Sequence, residues 1–211
     1  MQSARQLTLE IARQRLARAQ QGLRLNEFEA IDDDAAILVA SYHGDLSLNG
    51  ITKLSDAGAE ALATHKGSLS LNGLTRLSEK ATVALGKHDG KLFLKGLRHL
   101  SLLTLSPNVV TADIWKFTSI GDDAADWLSR VRGRPWDNLI LGGLTHLSDT
   151  AALSLSKCER DPSLSGLTTL SDTRGHLALA DRLSQSSGVD LRKLTNLSDA
   201  AAWCLSRGHR H

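Results

Sequence analysis

The sequence predicts an α/β solenoid, with a parallel sheet on the concave side and short helices on the convex side. Three observations predict it. A segment of about 23 residues recurs from Leu23 to the end of the chain, and self-similarity at a fixed period of this length marks repeat architectures. Three columns of that repeat are apolar in all eight copies. Each copy also passes from two-residue alternation to a capped helical pattern.

The copies start at Leu23, Leu46, Leu69, Leu92, Ala112, Leu139, Pro162 and Val189, and columns are numbered here by the second copy. Column 48 reads Leu25, Leu48, Leu71, Leu94, Ile114, Leu141, Leu164 and Leu191. Column 51 reads Phe28, Ile51, Leu74, Leu97, Phe117, Leu144, Leu167 and Leu194. Column 54 reads Ile31, Leu54, Leu77, Leu100, Ile120, Leu147, Leu170 and Leu197. Columns 46 and 48 alternate with polar residues, the period of a strand with one buried face. Glycine usually follows at column 50, where the chain is expected to turn. A Ser-Asp-x-Ala-Ala stretch comes next and predicts a helix start, with serine as N-cap, an acid in the first turn and small residues that let the helix lie close to the sheet. Each inward Leu or Ile is worth about 1.5–3 kcal/mol on burial, so neighbouring copies must stack to offset their ordering entropy.

The acids at column 56 (Asp33, Asp56, Glu79, Asp122, Asp149, Asp172, Asp199) form a row that invites a calcium reading. A carboxylate in the first turn already interacts favourably with the helix dipole, and calcium repeats cluster several oxygen ligands per loop. The row is therefore read as capping, and no metal or cofactor is expected.

Residues 1–22 read as a helical N-terminal cap: Leu7, Ile11 and Leu16 lie along one stripe, with Arg5, Arg13, Arg15 and Arg18 beside or opposite it. Residues 23–211 hold the eight copies, of which the fourth is degenerate, with Ser101 to Pro107 in place of a helix. The chain closes with a helix from Ala200 to Ser206 and no separate cap.

Bulk properties narrow the class. A formal net charge of +2 argues against a phosphate-binding footprint over the whole surface. No apolar run approaches the roughly 20 residues of a membrane helix, and the start lacks the apolar stretch of a secretory signal. Cys158 and Cys204 fit free thiols in a reducing compartment, so cytoplasm is the expected location.

The pattern resembles the leucine-rich repeat superfamily, in particular atypical bacterial variants with an LxLxGLxxLSDxAAxxL core, over roughly Leu23 to Leu205. The resemblance implies a curved solenoid that binds other proteins through its inner face. This chain departs from the family at column 51, where an apolar residue replaces the usual asparagine or cysteine. An apolar spine is expected there in place of a hydrogen-bonded asparagine ladder.

On the predicted inner face, column 47 reads Arg24, Ser47, Ser70, Phe93, Asp113, Ile140, Ser163 and Asp190, and column 49 reads Asn26, Asn49, Asn72, Lys95, Trp115, Gly142, Ser165 and Arg192. Phe93, Trp115 and Ile140 interrupt an otherwise small and polar surface, with Lys91, Lys95 and Asp113 beside them. Apolar and aromatic residues with flanking charge are what interfaces concentrate. The long fifth copy adds a loop with Arg130, Arg132, Arg134, Pro135 and Trp136, and insertions in repeat arrays often lie on a binding face. Lys91, Phe93, Lys95, Asp113, Trp115, Ile140, Arg132, Arg134 and Trp136 are thus the candidate partner-binding residues; the tryptophans equally suit a plug over an irregular patch.

Trp127 and Trp203 sit on helix columns and are expected to pack. His99 and His146 share column 53, His65 and His88 share column 65, and both columns are expected to be exposed turns or helix ends. No Ser-His-Asp spacing, glycine-rich phosphate loop or CxxC pair appears, so the expectation is a non-catalytic protein-binding module. Two alternatives stand beside it. One is binding of nucleic acid or an anionic surface by the N-terminal arginines and the Arg130–Trp136 loop. The other is a purely structural or oligomerising solenoid joined through its C-terminal end.

Overall fold

The computed structural model describes residues 5–19, 22–111, 116–130, 140–159, 162–186 and 190–207. Within them the chain is α/β, with eight α-helices and eleven short strands, and every strand pair runs parallel. It divides into two compact units. Met1–Leu97 and Leu103–Ala112 form the first; Arg98–Leu102 and Asp113–His211 form the second.

The first unit opens with β1 (Gln6–Leu7) and α1 (Leu9–Leu16), so the predicted N-terminal helix is preceded by a short strand. Thr8 accepts the Ile11 N–H at the start of α1, and the Arg15 guanidinium pairs with Glu27 at 2.6 Å and lies over the Phe28 ring. There follow β2 (Leu23–Arg24), β3 (Ala30–Ile31), α2 (Asp33–Ala40), β4 (Leu46–Ser47), α3 (Asp56–Ala63), β5 (Leu69–Ser70), α4 (Glu79–Leu85) and β6 (Leu92–Leu94). Strands β2, β4, β5 and β6 pair in order, placing Leu23, Leu46, Leu69 and Leu92 opposite one another. Leu25, Leu48, Leu71 and Leu94 are buried, as are Phe28, Ile51, Leu74 and Leu97. Column 54 is less covered here: Ile31, Leu54 and Leu77 are half-buried.

The helix starts explain the Ser-Asp pairs. Ser55 Oγ accepts the Gly58 N–H at 2.9 Å and donates to Asp33 Oδ1; Ser78 Oγ accepts the Ala81 N–H at 2.9 Å and donates to Asp56 Oδ1. The acid of one segment therefore holds the cap of the next, beyond its effect on its own helix dipole. Replacing Ser78 with alanine removes both bonds. We expect it to cost about 1 kcal/mol or somewhat more in urea unfolding, and an unchanged midpoint would show the clamp to be energetically idle.

Glycine at column 50 has a different reason from the expected turn. Among the described glycines, only Gly22 and Gly44 have positive φ. Gly73 instead lies so close to the preceding segment that a Cβ would stand 2.3 Å from the Asn49 carbonyl oxygen and 2.6 Å from that of Ile51.

Two expectations are corrected in this unit. The strand beside β6 is β8 (Val109–Thr111), with Val109 opposite Leu92, rather than a strand beginning at Ala112. The degenerate return is a single 3-10 turn, Leu103–Leu105, so fewer residues are needed before the next strand. His65 and His88, expected at the surface, are 0% and 2% exposed. Their rings are stacked with centroids 6.2 Å apart and planes 4° from parallel, one period beyond Tyr42. His65 Nδ1 lies 3.2 Å from the Ala40 carbonyl, whereas the His88 ring faces the Ala63 and Gly67 carbonyls without a hydrogen bond of normal geometry.

The second unit contains β7 (His99–Leu100) paired with β9 (Ser119–Ile120), then α5 (Asp122–Arg130), α6 (Asp149–Leu155), β10 (Thr169–Leu170), α7 (Arg174–Ser184), β11 (Asn196–Leu197) and α8 (Asp199–Ser206). Its core holds Phe117, Leu141, Leu144, Leu155, Leu164, Leu167 and Leu179. Ser148 repeats the clamp, donating to Asp122 Oδ1 and accepting the Ala151 N–H at 2.9 Å. Asp149 faces Thr173 and the Gly175 N–H (2.5 Å), which hold its carboxyl below the usual carboxylate value. A threonine row, absent from the sequence reading, runs beside these: Thr145 Oγ1 donates to the Thr118 carbonyl (3.3 Å), Thr168 to Thr145 (2.9 Å) and Thr195 to Thr168 (3.2 Å).

Burial fades along the last segment, where Leu191 and Leu194 are half-buried and Leu197 is exposed. The expectation that Trp127 and Trp203 pack is corrected, since both are exposed, Trp203 by 61%. Ala201 is the buried contact of α8, and Trp203, two residues on, points some 200° away around the helix. The Arg207 guanidinium covers its ring at 4.6 Å. Trp127 flanks the buried stripe of Ala124, Ala125 and Leu128.

Candidate binding surface

Of the residues that the sequence singles out, Lys91, Phe93 and Lys95 lie on or beside the solvent side of the five-stranded sheet in the first unit. Alternation along each strand sends Leu92 and Leu94 inward and leaves Phe93 half-exposed between them. The pairing register places Arg24, Ser47, Ser70, Phe93 and Val110 in one row across strands β2, β4, β5, β6 and β8. Val110 is exposed, so the row ends in two adjacent apolar side chains.

A second row lies beside it, built on column 49. Asn26 Oδ1 accepts the Ser47 hydroxyl at 2.8 Å and the Asn49 N–H at 2.9 Å. Asn49 Oδ1 accepts the Ser70 hydroxyl at 2.7 Å and the Asn72 N–H at 3.0 Å. Asn72 Oδ1 accepts the Lys95 N–H at 2.9 Å. In return, Asn49 Nδ2 donates to Ser47 Oγ and Asn72 Nδ2 to Ser70 Oγ, each at 3.0 Å. The apolar spine expected at column 51 is present, with Phe28, Ile51, Leu74 and Leu97 buried, and an asparagine ladder that was not expected runs two columns earlier. The strands end at column 47 or 48, and the amide oxygen takes the backbone N–H just beyond the backbone ladder.

Between these rows lies a shallow open depression of about 430 Å³, bordered by Arg24, Asn26, Asp45, Asn49, Ser70 and Phe93. Lys91 and Lys95 are exposed on either side of Phe93 in sequence. Of the remaining candidates, Ile140 is exposed in the second unit, where it bridges to Ser163. Asp113, Trp115, Arg132, Arg134 and Trp136 lie outside the described residues. Val110 was missed because the expected strand began at Ala112, although the β-branched run Val109-Val110-Thr111 is itself a strand signal.

Elsewhere, Ser171 and His176 make the approach most like a nucleophile and base, with Oγ 2.8 Å from Nδ1. That nitrogen also accepts the Ser171 N–H at 3.0 Å, which leaves the ring proton on Nε2, facing the Leu147 carbonyl at 3.2 Å. Both ring nitrogens thus tie backbone together. Burial, opposed only weakly by Arg182, pushes the Cys158 thiol up to about 11, far from a reactive thiolate at neutral pH. Among the described residues, no group of three or more His, Cys, Asp or Glu is placed to hold a metal ion, and no helix is long and apolar enough to cross a membrane.

The chain matches no protein-family model, and no curated protein or solved structure shows significant similarity to it.

Proposed function

We propose that this chain is a leucine-rich-repeat-like solenoid that binds a protein partner through the exposed face of its parallel sheet, without catalysis. The observation that carries this reading is the Phe93–Val110 pair: two neighbouring apolar side chains on a sheet face whose other side chains, Arg24, Asn26, Ser47, Asn49, Ser70, Asn72 and Lys95, are polar or charged. A solvated sheet face has no packing reason to hold them, and aromatic residues at the centre of a polar surface are typical interface anchors. Lys91 and Lys95 beside the pair supply charge at the rim. The nucleic-acid reading has less support, because Arg15 and Arg130 are already paired with Glu27 and Asp126.

The test is affinity capture with the intact chain and with a Phe93→Asp, Val110→Asp variant, each checked for a native circular dichroism spectrum. Proteins retained by the native chain should be lost from the variant. Identical recovery from both would remove this face from the function.

A further inference from the structure

We propose that the ligand of this sheet face is an acidic peptide segment carrying one apolar anchor residue. The inference rests on the reading of the face as a protein-binding surface, and it names the chemistry of the partner.

The argument begins with what the ladder leaves unsatisfied. The oxygens of Asn26 and Asn49 each accept two hydrogen bonds, one from a serine hydroxyl and one from a backbone N–H. Ser47 and Ser70 have donated their hydroxyl protons to that ladder. An amide carries two N–H donors. Asn49 and Asn72 each use one of theirs on a serine, and Asn26 uses neither on a protein group. The side chains thus spend acceptors inward and leave N–H groups facing water, spaced by the strand separation of about 4.8 Å.

The charges agree in sign. Arg24, Lys91 and Lys95 stand on or beside this face with no carboxylate within ion-pair distance among the described residues, and Asp45 is the one acid bordering the depression. A ligand that pairs with this set must be rich in hydrogen-bond acceptors and negatively charged. The Phe93–Val110 pair adds a requirement for one apolar group at the same end as the two lysines.

A peptide suits the set better than a nucleic acid. Polyphosphate binding draws on many cations at once, and here three are offset by Asp45 on a chain whose formal net charge is only +2. Base stacking needs an open aromatic face. Phe93 is half-buried against an aliphatic neighbour, which favours an aliphatic or aromatic side chain as its contact.

The experiment is fluorescence anisotropy of the intact protein with four labelled probes: a Glu/Asp-rich peptide with a central leucine, the same peptide with that leucine replaced by alanine, a Lys-rich peptide with the central leucine, and a single-stranded oligonucleotide. The acidic leucine peptide should bind tightest, with affinity falling as salt rises. Loss of its leucine, Lys95→Glu and Phe93→Ser should each weaken it by about tenfold, an effect of the size set by one lost charge contact or apolar anchor. Circular dichroism controls for folding, and Lys95 is exposed, so its replacement leaves the core untouched. Tighter binding of the basic peptide or the oligonucleotide overturns the ligand class, as does the absence of binding by any probe. In those cases a capture pattern that still depends on Phe93 and Val110 keeps the face as the interface. Acidic-peptide binding that is indifferent to Phe93→Ser and Lys95→Glu overturns the face itself.

Discussion

Replacing Gly73 with alanine is expected to unfold the first unit or to lower its stability by on the order of 3 kcal/mol or more, the upper end of what overpacking costs. The reason is distance. An alanine Cβ would stand 2.3 and 2.6 Å from two carbonyl oxygens of the preceding segment, and both are backbone atoms that no rotamer can move. Gly50 and Gly96 face the same obstacle at 2.1 Å from the carbonyls of Asn26 and Asn72. Relief would require the strands to separate, which would expose Leu48 and Leu71 and break the asparagine ladder at once. Gly86 supplies the contrast: it has φ −63° at the end of α4, and a Cβ there meets nothing nearer than 3.4 Å. Gly86→Ala should stay within about 1 kcal/mol of the native protein. Urea unfolding of both variants checks the pair, and equal midpoints for Gly73→Ala and the native chain would refute the close-approach account.

Acidification is expected to destabilise the first unit through His88. Burial of the ring disfavours its charged form; the Ala63 and Gly67 carbonyls pull the other way, and the stacked His65 ring reinforces the burial. Among the described residues, the acid that favours the charged ring is Asp89, which is exposed and paired with Lys66 at 3.4 Å. The net result holds the His88 pKa below its ordinary 6.5. The unfolded chain therefore takes up a proton before the folded one does. Stability is complete above about pH 6.5 and falls as the pH drops from there to the lowered folded value. His88→Phe keeps a flat ring and removes the titration. Urea midpoints at about pH 7.5 and about pH 5 should fall for the native chain and fall less for the variant. Parallel losses in both would assign the acid sensitivity to other groups.

These two cases also show where residue pattern and structure part company. The leucines at columns 48 and 51 were legible because a strand with one buried side tolerates little else at those positions, and in the first unit all of them are buried. Column 50 was legible as glycine but not for its cause, since a sequence does not display how near a neighbouring backbone will come. His65 and His88 were misplaced because histidine counts as polar in any periodicity, whereas a flat ring over a flat ring fills a buried slot well. The apolar spine at column 51 was legible, whereas the asparagines of column 49 read only as polar surface residues, since their bonds to the next strand's N–H groups depend on where the backbone ladder stops. Val110 escaped because the short 3-10 return broke the spacing on which the alignment depended. For the binding surface, Phe93 and its two lysines were readable as exceptions in a polar row, while the donor excess of that row emerges only from counting its hydrogen bonds.

The serine-to-carboxylate clamps carry a direction: each hydroxyl reaches back to the acid that precedes it, never forward. Excision of residues 46–68 would bring Ser78 against Asp33 and Ser70 against Asn26, the same chemical couples that the intact chain makes with Asp56 and Asn49. Across residues 23–95 the loss of one such segment would thus leave a junction made of the same chemical couples as the one it removes. In that stretch the local couples, rather than the total length, set how one segment docks on the next.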